Sequence, residues 1–167
     1  RIENTLESFE CSVELGAGIE SDIQQTKDKK LVCLHDASFK IQKKWYNVRK
    51  LTYQELTQIP FKDGRKIPLL TEIFGHFSDC NHNLRYSFDI GNARIGKRVI
   101  DLCEKFNLFE NVEITDTRPK NLFKLRDYNN KAKLVHTIPY NIINIDKNTI
   151  DFDILHDENI STLNIKM

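Results

Sequence analysis

The sequence has no excess of charge of one sign, no long apolar run and no closely spaced cysteines. Its 25 Lys and Arg nearly balance 24 Asp and Glu, for a net charge of +1, which argues against a basic nucleic-acid-binding arm or an acidic tail. The longest apolar runs are far below the roughly 18 residues of a membrane span, and the first residues lack a signal-peptide apolar region. We therefore expect neither a membrane span nor a nucleic-acid partner.

The cysteines exclude two further classes of site. Cys11, Cys33, Cys80 and Cys103 contain no C-x-x-C pair, which argues against a zinc knuckle or a redox dithiol. Thiols used in this way are typical of a reducing compartment, so we expect a cytoplasmic location.

The composition is that of a globular protein, and the length predicts one domain. Hydrophobic residues make up 40% and charged residues 29% of the 167 residues, so we expect a single domain over 1–167 with one core. Segment 37–66 is predicted to be mostly loop. It carries one short helix signal at 52–59, where Thr52 and Glu55 form a capping-box pair.

Helix and strand patterns alternate along the rest of the chain. A helix is predicted at Asn4–Leu15, capped by Asn4 with Glu7 and ended by Gly16. Further helices are predicted after Pro68, around 95–106 and from Pro119, with strands at 18–23, 31–35, 84–90, 111–116, 133–138 and in the tail TLNIKM. Alternating units of this kind predict an α/β fold with a parallel sheet.

Acidic side chains lie at several of the predicted strand ends. Glu20 and Asp22 are two residues apart, so both carboxylates point to the same face of a strand, and Asp89 ends another strand. Converging carboxylates need a cation, and oxygen-only ligands suit Mg²⁺ or Ca²⁺ better than zinc. By itself, however, an E-x-D pair is more often the solvated edge of an exposed strand.

His35 is a candidate for proton transfer. It follows the apolar run LVCL and precedes Asp36, and its ordinary pKa of about 6.5 suits a general acid or base. A lone histidine in such a place is more often structural. The second H-D pair, His156 and Asp157, is assigned no role.

Taken in order, these pieces resemble the glycerophosphodiester phosphodiesterase family. Five blocks occur in the family's order, ENTLESF, LGAGIESDI, QQTKDKKLVCLHD, IPLLTEIF and SFDI, and the resemblance spans roughly 1–137. It implies a (β/α)8 barrel of the TIM type. In this family one divalent cation and two histidines hydrolyse glycerophosphodiesters to glycerol 3-phosphate and an alcohol, in glycerophospholipid metabolism.

The resemblance also implies roles for individual residues. Glu20 and Asp22 match the metal pair, Asp89 stands where the family has a metal-binding Glu, and His35 matches the second catalytic histidine. Glu3 of the E-N-T block matches a residue at the pocket mouth.

The chain departs from the family pattern in ways that bear on the site. Gly91 stands where the family has a phosphate-facing Lys, and Lys29 replaces a turn Gly. The first catalytic histidine belongs to an H-R-G block farther before E-N-T than Arg1 allows, and no W-T-V-N-like strand occurs before Met167. We therefore expect a barrel that is incomplete at both ends in this chain.

Segment 37–66 is expected to lie over the mouth of the site and to shape substrate choice. Its aromatics offer apolar walls, and Lys40, Lys43, Lys44 and Arg49 offer cations for a phosphate. Two alternatives to a glycerophosphodiesterase stay open. One is a sphingomyelinase-type phospholipase D, and the other is a barrel remnant that binds a phosphorylated ligand without turnover.

Overall fold

The computed structural model describes residues 2–78, 84–142 and 144–165, so Cys80 lies outside the described residues. The helices are α1 (Leu6–Glu14), α2 (Tyr53–Thr57), α3 (Leu70–Phe77), α4 (Ala93–Lys105), α5 (Pro119–Arg126) and α6 (Phe152–Asp157). The strands are β1 (Ile19–Gln25), β2 (Leu31–Cys33), β3 (Ser38–Ile41), β4 (Lys44–Asn47), β5 (Tyr86–Ile90), β6 (Val112–Asp116), β7 (Lys133–Ile138) and β8 (Thr162–Ile165).

Five of the strands form a parallel sheet, as the alternating pattern predicts. The main sheet has the order β2-β1-β5-β6-β7-β8, and every pair from β1 to β8 is parallel. α4 joins β5 to β6 and α5 joins β6 to β7. Parallel neighbours need such crossovers, because the chain must return to the starting edge of the sheet.

The strand at 31–35 differs from the prediction, because it is not one of the parallel strands. β2 pairs antiparallel with the last three residues of β1, with Ile23 opposite Cys33. The connection between them, 26–30, is too short to cross the sheet and can only make a hairpin. The chain therefore runs back toward the start of β1, and the Leu34 N–H donates to the Asp22 carbonyl at 3.0 Å.

The two faces of the main sheet have opposite character. One face carries apolar side chains such as Ile23, Phe88 and Ile114, which pack with helix residues including Phe74 and Leu122 in one buried cluster. The other face carries polar side chains, at positions 20, 22, 24, 87, 89, 115 and 137. Helices on one side and polar groups on the other are expected of barrel strands whose inner face forms a site.

The first helix begins one residue later than predicted. Thr5 and not Asn4 is the cap: its hydroxyl accepts from the Ser8 N–H, and the Ser8 hydroxyl accepts from the Thr5 N–H. Asn4 has φ +56°, and its side chain instead accepts a hydrogen bond from the Ser21 hydroxyl at 2.5 Å. Gly16, with φ +76°, follows the helix end as predicted.

Segment 37–66 contains more regular structure than predicted. β3 and β4 form an antiparallel hairpin, in which Phe39 stacks on Tyr46 with ring centroids 5.7 Å apart. α2 follows with the predicted Thr52–Glu55 capping box. Val48 and Leu56 of this segment are buried in a second apolar cluster together with Val32, so the segment is anchored to β2 by its own core.

Among the described residues, no helix is both long enough and apolar enough to span a membrane.

Candidate active site

Three carboxylates lie on the polar face of two neighbouring strands. Asp22 of β1 and Asp89 of β5 are opposite each other in the parallel register, and Glu20 lies two residues before Asp22 on the same face. Asp22 and Asp89 are half-buried, whereas Glu20 is exposed. The strand register therefore brings the backbone positions of these three residues next to one another on one face of the sheet.

These three donors fit a hard divalent cation in chemistry and in register. Carboxylate oxygens are the ligands that Mg²⁺ and Ca²⁺ prefer. The side chains do not yet converge, since no group of three His, Cys, Asp or Glu side chains within the described ranges is placed to hold a metal ion. Binding would require the carboxylates to turn toward one another. Their mutual repulsion disfavours that arrangement until a cation is present.

Four of the predicted site residues line one cleft. Glu3, Glu20, Asp22 and His35 surround a volume of about 360 Å³ between the start of α1 and β1. The cleft lies where β2 no longer pairs with β1, since β2 reaches only as far as Ile23. The hairpin turn after β1 accounts for this grouping, because it returns His35 to the level of Asp22.

The His35 ring is held in a setting that favours its charged form. Nδ1 lies 3.0 Å from Asp36 Oδ1, and this hydrogen bond raises the pKa of His35 above its ordinary value. The charges of Asp22 and Glu3 raise that pKa further. The side chain is 61% exposed, so the imidazolium can reach a ligand in the cleft through Nε2.

Lys40 lies in an adjoining cleft. That cleft has a volume of about 320 Å³ and shares Glu3 and His35 with the first one. The four cations that were expected to bind a phosphate, Lys40, Lys43, Lys44 and Arg49, do not line one cleft, however. Arg49 lines a different cleft at the end of the sheet, beside Gly91.

The contacts of two further residues could not be predicted from sequence patterns. Asp116 ends β6 as predicted, but it is 1% exposed and its carboxylate is held by Arg118 at 2.9 Å and by Asn121 at 2.7 Å. Gln24 is buried on the polar face, and its Nε2 donates to the His35 carbonyl at 3.2 Å. A glutamine in a strand carries no signal of this kind, because the contact depends on the hairpin.

Sequence comparison identifies the family to which this α/β chain belongs. Residues 1–141 match the glycerophosphoryl diester phosphodiesterase family, and the chain is a member of it. A glycerophosphodiester phosphodiesterase from Caldanaerobacter subterraneus subsp. tengcongensis is 31% identical over 142 residues, which cover 78% of this chain and 57% of that protein. The chain thus spans a little over half the length of this curated relative.

Solved structures confirm the fold. The glycerophosphodiester phosphodiesterase of Thermotoga maritima has a TM-score of 0.77 at 23% identity, covering 99% of this chain and 68% of that chain. An Oleispira antarctica phosphodiesterase in complex with the product sn-glycerol-3-phosphate has a TM-score of 0.75 at 15% identity, covering 98% and 69%. The predicted TIM-barrel type of fold is therefore correct, and the described residues account for five of its parallel strands.

Proposed function

We propose that this protein hydrolyses glycerophosphodiesters to glycerol 3-phosphate and an alcohol, in glycerophospholipid turnover, with one divalent cation, Mg²⁺ or Ca²⁺. The observation that carries the proposal is the grouping of Glu20, Asp22 and His35 in one cleft. Family membership supports the same chemistry, and so does the product bound to the structurally similar Oleispira protein.

The carboxylates of Glu20, Asp22 and Asp89 would hold the cation, which when bound neutralises the charge of the phosphodiester as the bond to the leaving oxygen breaks. The strand register brings Asp22 and Asp89 side by side. Backbone pairing fixes the relative positions of Asp22 and Asp89, and rotation of their side chains would bring the carboxylate oxygens onto the cation.

His35 would act as the general acid. Its Nδ1 is engaged by Asp36, so Nε2 is the nitrogen that delivers a proton to the leaving alkoxide. The raised pKa increases the fraction of imidazolium at any given pH, relative to a histidine with the ordinary pKa. Proton transfer of this kind contributes on the order of 10²- to 10⁴-fold in rate.

Glu3 and Lys40 would contact the substrate in the two clefts that share His35. Glu3 lines both clefts and can accept hydrogen bonds from the hydroxyls of the glycerol moiety. Lys40 lines the adjoining cleft and can attract the phosphate.

The test is release of glycerol 3-phosphate from glycerophosphocholine by the full-length gene product, with and without a chelator. We expect divalent-dependent release. A matched assay with lysophosphatidylcholine distinguishes a lipid-acting phospholipase D, which would prefer that substrate. No release from either substrate, together with retained ligand binding, would indicate a barrel that binds without turnover.

A further inference from the structure

A large basic cleft lies at the carboxyl end of the sheet, outside the cleft that holds Glu20 and His35. It has a volume of about 810 Å³. Among the described residues that line it, none is Asp or Glu and six are cationic: Lys27, Lys29, Arg49, Arg94, Arg118 and Lys124. They come from the β1–β2 turn, the segment after β4, the start of α4 and both ends of α5, so residues far apart in the sequence are brought together by the fold.

Most of this positive charge is not neutralised. Within the described ranges, no carboxylate lies within ion-pair distance of Lys29, Arg49, Arg94 or Lys124. Arg118 is the exception, because Asp116 holds its guanidinium at 2.9 Å. Cations assembled without counter-charges repel one another, and an anionic ligand removes that cost.

The floor of the cleft adds further polar groups. Gly91, Asn92 and Ala93 line it at the N-terminus of the 13-residue helix α4, where the helix dipole favours negative charge. Gly91 has no side chain, and the Arg49 Nη2 and the Gln24 Oε1 would each lie 3.8 Å from a Cβ placed there. That Gln24 Oε1 is a buried acceptor with no hydrogen-bond partner among the described residues, and it lies directly behind Gly91.

The basic cleft is close to the carboxylates. Gly91, which lines the cleft, directly follows β5 and lies two residues beyond Asp89, which is about 7 Å along an extended chain. One ligand can therefore place its phosphodiester at the carboxylates and an attached group in the basic cleft.

We infer that the basic cleft binds the leaving headgroup of the substrate, and that this headgroup is a polyol carrying its own phosphate. This rests on the proposed hydrolysis and names the substrate class. The cations and the start of α4 would bind the phosphate, and the Asn121 side chain, which lines the cleft, would accept a hydrogen bond from a polyol hydroxyl. A cationic headgroup such as choline meets like charge in this cleft and is disfavoured.

The test compares kcat/KM for glycerophosphoinositol 4-phosphate and for glycerophosphocholine, using the full-length gene product. We expect the wild type to favour the phosphorylated headgroup by at least about 10-fold. The Lys29→Gln/Lys124→Gln variant should lower that ratio by about 10-fold, mainly through KM. A wild-type ratio at or below one, or a ratio that this variant leaves unchanged, would overturn the inference.

A matched control removes the same charge elsewhere. Lys105 at the far end of α4 and Lys131 before β7 are exposed and lie outside both clefts. Lys105→Gln/Lys131→Gln should leave the ratio unchanged. An equal fall in this control would mean that the overall charge of the protein sets the preference, which contradicts the inference.

Binding measurements separate this inference from the proposed function. Calorimetric titration of the Glu20→Gln/Asp22→Asn variant with inositol 1,4-bisphosphate does not depend on turnover. We expect binding that weakens about 10-fold when Lys29 and Lys124 are also replaced. If no diester is hydrolysed but inositol 1,4-bisphosphate binds as expected, the proposed function is wrong, and the assignment of a phosphorylated polyol to the basic cleft is still supported. If inorganic phosphate binds equally well, the headgroup assignment is wrong.

Discussion

The cleft that holds Glu20 and His35 and the basic cleft differ in charge and in how their charged groups are positioned. Glu20 and Asp22 line the first cleft from β1, and Asp89 lies opposite Asp22 on β5, so backbone pairing sets the positions of all three residues. The cations of the basic cleft sit instead on long side chains from turns and helix starts, such as Lys29 and Arg94.

This difference corresponds to two kinds of task. Chemistry at a phosphodiester needs groups placed to a fraction of an ångström, which suits strand residues. Recognition of an anionic group tolerates looser placement, because Coulomb attraction falls off slowly with distance. The comparison predicts that changes to the strand carboxylates mainly reduce turnover, whereas changes to surrounding cations mainly alter KM.

The largest effect is expected from Glu20→Gln/Asp22→Asn. Loss of the cation's ligands should lower turnover by on the order of 10³-fold or more, since a metal supplies several kcal/mol of transition-state stabilisation. Initial rates and calorimetric Mg²⁺ titration measure the two consequences. Glu113→Gln is the control. Glu113 is a carboxylate of β6 on the same polar face of the sheet as Asp89, and it is not one of the three proposed ligands. Unchanged Mg²⁺ affinity in the double variant would refute the carboxylate site.

His35→Ala should reduce turnover by on the order of 10² to 10⁴, with Mg²⁺ affinity changed by no more than a few-fold. The loss should be smaller for a p-nitrophenyl ester, because that leaving group departs without a proton. His156→Ala, which alters the other H-D pair, should have no effect. A general-acid role is incompatible with equal losses on good and poor leaving groups.

Lys40→Gln should raise KM by about 2- to 5-fold and leave kcat nearly unchanged, since an exposed cation contributes a modest screened attraction. Lys43→Gln is the matched control, because Lys43 lies at the turn of the same hairpin. It should leave KM unchanged. The effect should shrink as salt is added. If kcat falls instead of KM rising, Lys40 belongs with the catalytic groups and the comparison between the two kinds of position breaks down.

The smallest effect is a displacement of the pH profile. The hydrogen bond from Asp36 is the largest cause of the raised pKa of His35, so Asp36→Asn should lower that pKa. A general acid is active only while it is protonated. The decline of activity with rising pH should therefore begin at a lower pH in the variant than in the wild type. The pH dependence of kcat/KM measures this. A shift toward higher pH would contradict the assignment.

Local patterns in the sequence located most of the helices and strands. The stripe of apolar residues in 95–106 and Pro119 at a helix start correspond to α4 and α5, because helix periodicity is a property of neighbouring residues. The β3–β4 hairpin was not predicted. β3 alternates polar and apolar residues over only four positions, and β4 has Trp45 and Tyr46 adjacent to each other, so the alternation is too short to distinguish a strand from a loop.

The sequence by itself determined the α/β fold and the shared face of Glu20 and Asp22, because both follow from short-range periodicity and from five ordered blocks within one stretch of chain. Only the tertiary structure placed His35 beside Asp22, since that contact requires β2 to run antiparallel to β1. It alone brought Arg49 next to Gly91. Residues 42 positions apart meet only when packing fixes the path of the chain, and no local pattern encodes that path.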